Sequence, residues 1–255
     1  MTNCKNCGRR FKGKFCNNCG QAAETHTMNF HFLWHDIQHG LFHVDKGIFF
    51  TTKELFTRPG HTIREYLRGK RVSHFRPISM VLILAGVYAL LYHIFHIGML
   101  KGSVTVSGRG QELINLNNIV ENLLLWIGEH YELVALAQLP FAALGTYLAF
   151  RKWGYNYVEH FILNAFITAQ SLIVRIVLFP FNYAFSGRPA LKNFYNLEYI
   201  INLGLLVWVL LQFFNTRKKF SILMRTLLSL LIYGLFYAII FCSVVAVNYF
   251  FIQQP

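Results

Sequence analysis

The sequence predicts a mainly α fold, a polytopic α-helical membrane bundle of about five spans with a small metal-stapled ribbon at its N-terminus. Three observations carry this. Of 255 residues, 55% are hydrophobic, 16% aromatic and only 14% charged, and the mean hydropathy is +0.39, a balance foreign to soluble domains and usual for multi-pass chains. Five apolar stretches are long enough to cross about 30 Å of hydrocarbon. Two Cys-x-x-Cys-Gly repeats stand ahead of them. The formal net charge of +13 gathers in the first third and in short loops between apolar runs, which points to a membrane surface and not to nucleic acid. Three regions follow: a ribbon over 1–22, amphipathic and basic helices over 23–76, and a transmembrane helical domain over 77–255.

The ribbon is built on Cys4, Cys7, Cys16 and Cys19. Thiolates two residues apart grip one ion, and the glycine after each pair permits the turn that aims backbone N–H groups at sulfur, so the two pairs complete a tetrahedral Zn2+ site. Four protein ligands leave no open position, which makes the ion structural, and so short a ribbon needs it for most of its folding free energy. The chain opens on cysteines and lysines, without the pattern of an export signal, and its N-terminus is expected in the cytosol, where thiols stay reduced. Cys242, inside an apolar run, is expected to be a buried small hydrophobe.

Over residues 29–48, Phe30, Trp34, Ile37, Leu41, Val44 and Ile48 make one apolar helical face. Beside it His31, His35, His39 and His43 recur every four residues, with Asp36 and Asp45 nearby. Imidazoles at this spacing can share a second metal or titrate together near neutral pH, and they also line the boundary of helices lying on a membrane surface.

Two capping boxes come next, Thr51 to Glu54 and Thr62 to Glu65, on either side of a Pro59-Gly60 elbow. The second predicts a short helix from Thr62, stopped by Gly69, with Ile63, Tyr66 and Leu67 as an apolar strip that lies flat on the bilayer. Arg64, Arg68, Lys70, Arg71 and Arg76 form a basic collar, suited to anionic lipid headgroups and to the positive-inside rule, before Pro77 opens the first span.

The two Cys-x-x-Cys-Gly knuckles, Asp45-Lys46-Gly47, Thr52, Arg58-Pro59-Gly60 and the IREYLRGKR run followed by Pro77 together resemble an uncharacterised family of bacterial zinc-ribbon membrane proteins, domain of unknown function family 3667. The resemblance covers roughly the first third of the chain. It implies a multi-pass protein of the bacterial cytoplasmic membrane; it implies no activity, and no catalytic residue is carried over.

Spans are expected over 78–100, 133–150, 161–179, 197–214 and 226–251. With the head inside, Arg151, Lys152, Arg217, Lys218, Lys219 and Arg225 fall on the cytosolic side, against Lys101, Arg109, Arg188 and Lys192 outside. Leu113, Leu116, Val120, Leu123, Leu124 and Ile127 predict an amphipathic helix on the outer surface. In the third span His160, Asn164, Thr168, Ser171 and Arg175 share one stripe, an expensive placement that marks an intramembrane polar site, to which Pro140 and Asn202 could add a cavity.

These features favour a non-catalytic scaffold or regulatory protein whose metal head binds a cytosolic partner while the collar engages anionic lipid. A transporter or lipid-handling protein acting through the Arg175 stripe is the alternative. A membrane metalloenzyme has only His35, Asp36 and His39 as a foothold, since the chain lacks a nucleophile elbow, a His-Glu-x-x-His run and a phosphate-cradling loop.

Overall fold

The computed structural model describes residues 1–25, 28–29, 47–95, 118–120, 122–123, 125–127, 130–186, 188 and 191–252. The histidine stripe His31, His35, His39 and His43, with Asp36 and Asp45, lies outside the described residues.

Each cysteine knuckle closes on itself. The Gly8 N–H donates to the Cys4 carbonyl and the Gly20 N–H to the Cys16 carbonyl, at 2.9 and 2.8 Å. Gly8 and Gly20 adopt φ of 76° and 74°, the left-handed region a side chain disfavours. Strands β1 (Thr2–Asn3) and β2 (Arg10–Phe11) pair antiparallel between the knuckles, with Thr2 opposite Phe11. Among the described residues, Phe11 and Ala23 alone add apolar packing around the four cysteines, too little for a core.

Two short helices follow, α1 (Gly47–Thr57) and α2 (Pro59–Leu67). Both begin earlier than the capping boxes predict. Thr51 is fully buried inside α1 and its hydroxyl accepts the Phe75 N–H at 2.7 Å. At α2, Arg58 is the N-cap without a side-chain capping bond; Pro59, whose fixed φ suits the first turn, sets the start. The expected stop holds. Gly69, at φ 105°, donates to the Tyr66 carbonyl and Lys70 to the Glu65 carbonyl, both at 3.0 Å, which is a Schellman closure.

Among the described residues, five helices are long and apolar enough to cross a membrane: α3 (Pro77–Phe95), α4 (Tyr131–Phe150), α5 (Tyr157–Ala184), α6 (Leu191–Phe213) and α7 (Lys219–Ile252). The chain is a multi-pass membrane protein. A capping box that the sequence reading passed over starts α5: the Asn156 side chain accepts the Glu159 N–H at 2.9 Å and Glu159 accepts the Asn156 N–H at 2.8 Å. Helix α5 is the hub, packed against α1, α2, α3, α4 and α6, and Ile162, Leu163, Phe166, Ala169 and Leu172 put its inner face in the core. Helix α7 packs mainly against α4 and α6 among the described helices. Leu227, Leu231, Leu235 and Ile239 are exposed on it, as a lipid-facing span requires, and Cys242 is exposed there too, not buried as expected.

Helix α2 does not lie on the surface. Ile63 and Tyr66 are 0% and 2% exposed and belong to the main core, with the Tyr66 ring edge-on to Phe166 of α5 at 5.3 Å. The apolar strip read as lipid-facing is taken up by α5 and by the end of α6.

Candidate functional site: the metal head and its basic seat

The four thiols are free, and their sulfurs all lie within 4.8 Å of one another. Cys4 Sγ is 3.5 Å from Cys19 Sγ and Cys7 Sγ 3.6 Å from Cys16 Sγ. A tetrahedron with metal–sulfur bonds of about 2.3 Å has edges of about 3.8 Å, so this donor set can hold one metal ion. The Arg9 backbone N–H, with help from Asn18, holds the Cys7 thiol down at about 6, while burial pushes Cys4 up to about 11. A cation among them would draw the remaining protons off.

The head sits on the collar through a few specific bonds. Gln21, 4% exposed, accepts from the N–H groups of Arg71 and Val72 at 3.1 and 3.2 Å. Ser73 donates to Asn6 at 3.3 Å, Lys5 bonds Thr25, and Asn156 at the start of α5 donates to the Met28 carbonyl at 3.2 Å. The α6–α7 turn meets the α4–α5 loop on this side, where Phe214 stacks on Phe150 at 4.5 Å and Arg217 and Arg225 lie over Trp153. Most of the basic loops therefore share the head's side of the bundle.

The collar's charges are largely spent inside the protein. Arg64 is 8% exposed; its guanidinium donates to the carbonyls of Gln212 and Phe213 at the end of α6, the latter at 2.8 Å, and contacts His61 Nδ1 at 2.7 Å. The last carbonyls of a helix have no partner within it and carry partial negative charge, which is what a buried guanidinium can satisfy. Arg225 does the same for the Ala149 carbonyl near the end of α4. Lys70 pairs with Glu65 at 3.0 Å, and Arg58 bridges Glu65 and Glu54. Burial alone would raise the Glu65 carboxyl, but Lys70 and Arg58 hold it below its usual range. Arg71 lies 5.8 Å over the Tyr66 ring, and Arg76 is also engaged. Of the five residues read as headgroup ligands, Arg68 is left exposed, its side chain without an ion pair or hydrogen bond among the described residues.

Gly60 explains how close α2 comes. A Cβ there would lie 2.3 Å from the Phe213 N and 2.5 Å from the Gln212 carbonyl carbon, and the Gly60 N–H donates to Gln212 Oε1 at 3.2 Å. His74, 6% exposed, sits under the collar between the rings of Phe50 and Tyr66. Neither ring nitrogen has a partner among the described residues, and burial depresses its pKa to about 4.

Residues 45–89 match the model of a family described as protein of unknown function (DUF3667). That stretch is α1, α2, the collar and most of α3. Over this segment the chain is similar to the DUF3667 family. No curated protein and no solved structure matches the chain. The DUF3667 segment thus holds both the seat of the head and the contacts with α5 and α6, while the cysteine head precedes it.

Below the seat, the polar stripe of the third span divides into two clusters. On the head side Asn164 donates to Thr146 Oγ1 at 2.8 Å, and His160 Nδ1 lies 3.2 Å from the same oxygen. Toward the other end, 15 residues or about 22 Å further along the helix, Arg175 pairs with Glu198 at 3.0 Å and lies 4.9 Å over the Tyr131 ring. Thr168 and Ser171 are half-buried between the two. Asn202, one turn from Glu198, has a buried Oδ1 without a partner among the described residues. Glu198 and Gln170 were missed in the sequence although a lone acid or amide in an apolar run is itself a signal; Gln170, 1% exposed, donates to the Leu55 carbonyl at 2.9 Å and pins α1 to α5. A cavity of about 700 Å³ opens between α4 and α7, lined by Leu133, Phe141, Tyr237 and Phe241, with Tyr233 donating to Gln138 at 2.7 Å on its wall.

Proposed function

We propose that this membrane protein is a non-catalytic scaffold of the bacterial cytoplasmic membrane, with a Zn2+-stapled head held on the cytosolic side for a protein partner. The observation that carries the reading is the docked four-cysteine site. Its thiols surround a volume for one ion and leave no open position for a substrate, and Gln21 fixes the ribbon in one orientation on the collar. A rigid, metal-dependent surface that does no chemistry suits recognition. Helix α3, the α4–α5 loop and the α6–α7 turn bring the basic residues to the head's side, in keeping with a cytosolic N-terminus. An anionic substrate at Arg175 would have to displace the Glu198 carboxylate, which favours the scaffold over transport.

The test is the pair Cys16→Ser and Cys19→Ser in the full chain. Zinc measured by mass spectrometry should fall from one per chain to none while membrane insertion persists, and partners cross-linked to the wild-type head in its native cells should be lost. An unchanged set of cross-linked partners would sink the scaffold reading.

A further inference from the structure

The head carries charge that no other described residue pairs with. Residues 1–22 contain Lys5, Arg9, Arg10, Lys12 and Lys14 and no acidic residue. Lys5 faces the collar, bonded to Thr25. The other four stand exposed on the hairpin between the two knuckles, and among the described residues none of them makes an ion pair or side-chain hydrogen bond. Phe15, at the end of that hairpin, is 64% exposed, although the same ribbon buries Phe11 to 6%. Arg9 and Arg10 border a polar cleft of about 240 Å³ with Asn17 and Asn18.

The seat limits how far the docked edge of the head can be from the first span. Ser73 holds Asn6 of the head and is four residues from Pro77, where the first span begins. Four residues reach at most about 14 Å. The polar layer outside the hydrocarbon is about 5–8 Å thick, and charge is felt over about 8–10 Å at physiological salt. The docked edge of the ribbon is therefore held within about 14 Å of the start of the first span, close enough for its charge to be felt at the headgroups. Cations with an exposed aromatic at that level are the combination that holds a peptide at an anionic interface, the ring in the boundary and the charges among phosphates.

We propose that the 9–15 hairpin is the protein's binding surface for anionic phospholipid, with Arg9, Arg10, Lys12 and Lys14 on the headgroup phosphates and Phe15 in the interface. This moves the lipid contact from the collar to the head. The proposal stands apart from partner recruitment, because it can fail or hold with the cysteines untouched.

The experiment uses the full-length protein in nanodiscs with benzoylphenylalanine at position 15, reading lipid adducts on the head peptide by mass spectrometry. Discs of phosphatidylcholine alone are compared with discs containing a quarter phosphatidylglycerol. Adducts should appear mainly with the anionic lipid and fade between 50 and 500 mM salt. Lys12→Gln/Lys14→Gln should lower them roughly 25-fold, at about fivefold per cation near the surface, with one zinc per chain retained. Equal yields in both discs, or yields unchanged by Lys12→Gln/Lys14→Gln, would overturn the proposal. So would loss of the adduct to an equimolar oligonucleotide or polyglutamate, which would make the surface one for a soluble polyanion.

Discussion

The collar and the head hairpin are two basic regions of similar composition with opposite fates. In the collar Arg64, Lys70 and Arg71 turn inward to helix-end carbonyls, Glu65 and the Tyr66 ring. In the hairpin Arg9, Arg10, Lys12 and Lys14 turn outward. A count of charges next to a span does not say which of them meet lipid; the partners folded against them decide it. Where a helix ends inside the bundle, as α6 does at Phe213, it creates a demand for donors that the nearest guanidinium meets at closer range than any headgroup.

That contrast can be broken most severely at Gly60. Gly60→Ala puts a methyl against the Phe213 and Gln212 backbone and should cost about 3 kcal/mol or more by overpacking, read as a fall in thermal midpoint of the detergent-solubilised protein; an unchanged midpoint would mean that α2 is not seated as described. Arg64→Gln comes next. It removes two charge-assisted bonds to buried carbonyls, an expected loss of about 2–3 kcal/mol, whereas Lys12→Gln should leave the midpoint where it is. Equal effects at the two positions would erase the distinction between inward and outward charge.

The mildest test is acid. His74 is held neutral by burial, with a pKa near 4 against an ordinary 6.5, so once released from its pocket it binds a proton more readily. Stability of the seated collar is full above pH 6.5 and declines as pH falls from there toward 4, by about 2 kcal/mol after allowing for relaxation. Glu54, Glu65, Arg58 and Lys70 are the charges around it. His74→Phe should flatten that decline; a decline of the same size in His74→Phe would assign it to other groups.

Much of this architecture was legible from the chain. The Cys-x-x-Cys-Gly repeats specify the head because ligand chemistry constrains spacing, and the spans announce themselves because hydrocarbon demands long apolar runs. Pro59 and Gly69 set the ends of α2 through fixed and left-handed φ. The failures have one cause. Ile63, Tyr66 and Arg64 look like a surface helix because their partners, Phe166 and the end of α6, lie 100 residues or more downstream. The acid that pairs with Arg175 was missed because Glu198 sits on the next helix. Periodicity reports the face a helix buries, not what covers it. At residue 156 the fault was narrower, since the rule that misled at Thr62 fits Asn156 and Glu159.

The Arg64 bond has a consequence in time. Its acceptors lie 148 and 149 residues further along the chain, so at 5–20 residues per second they are made roughly 7–30 s after the arginine itself. During that interval three spans must be threaded while the guanidinium waits in the interfacial layer. The first half of the protein is thus assembled around an open socket, and the arrival of the fourth span closes it.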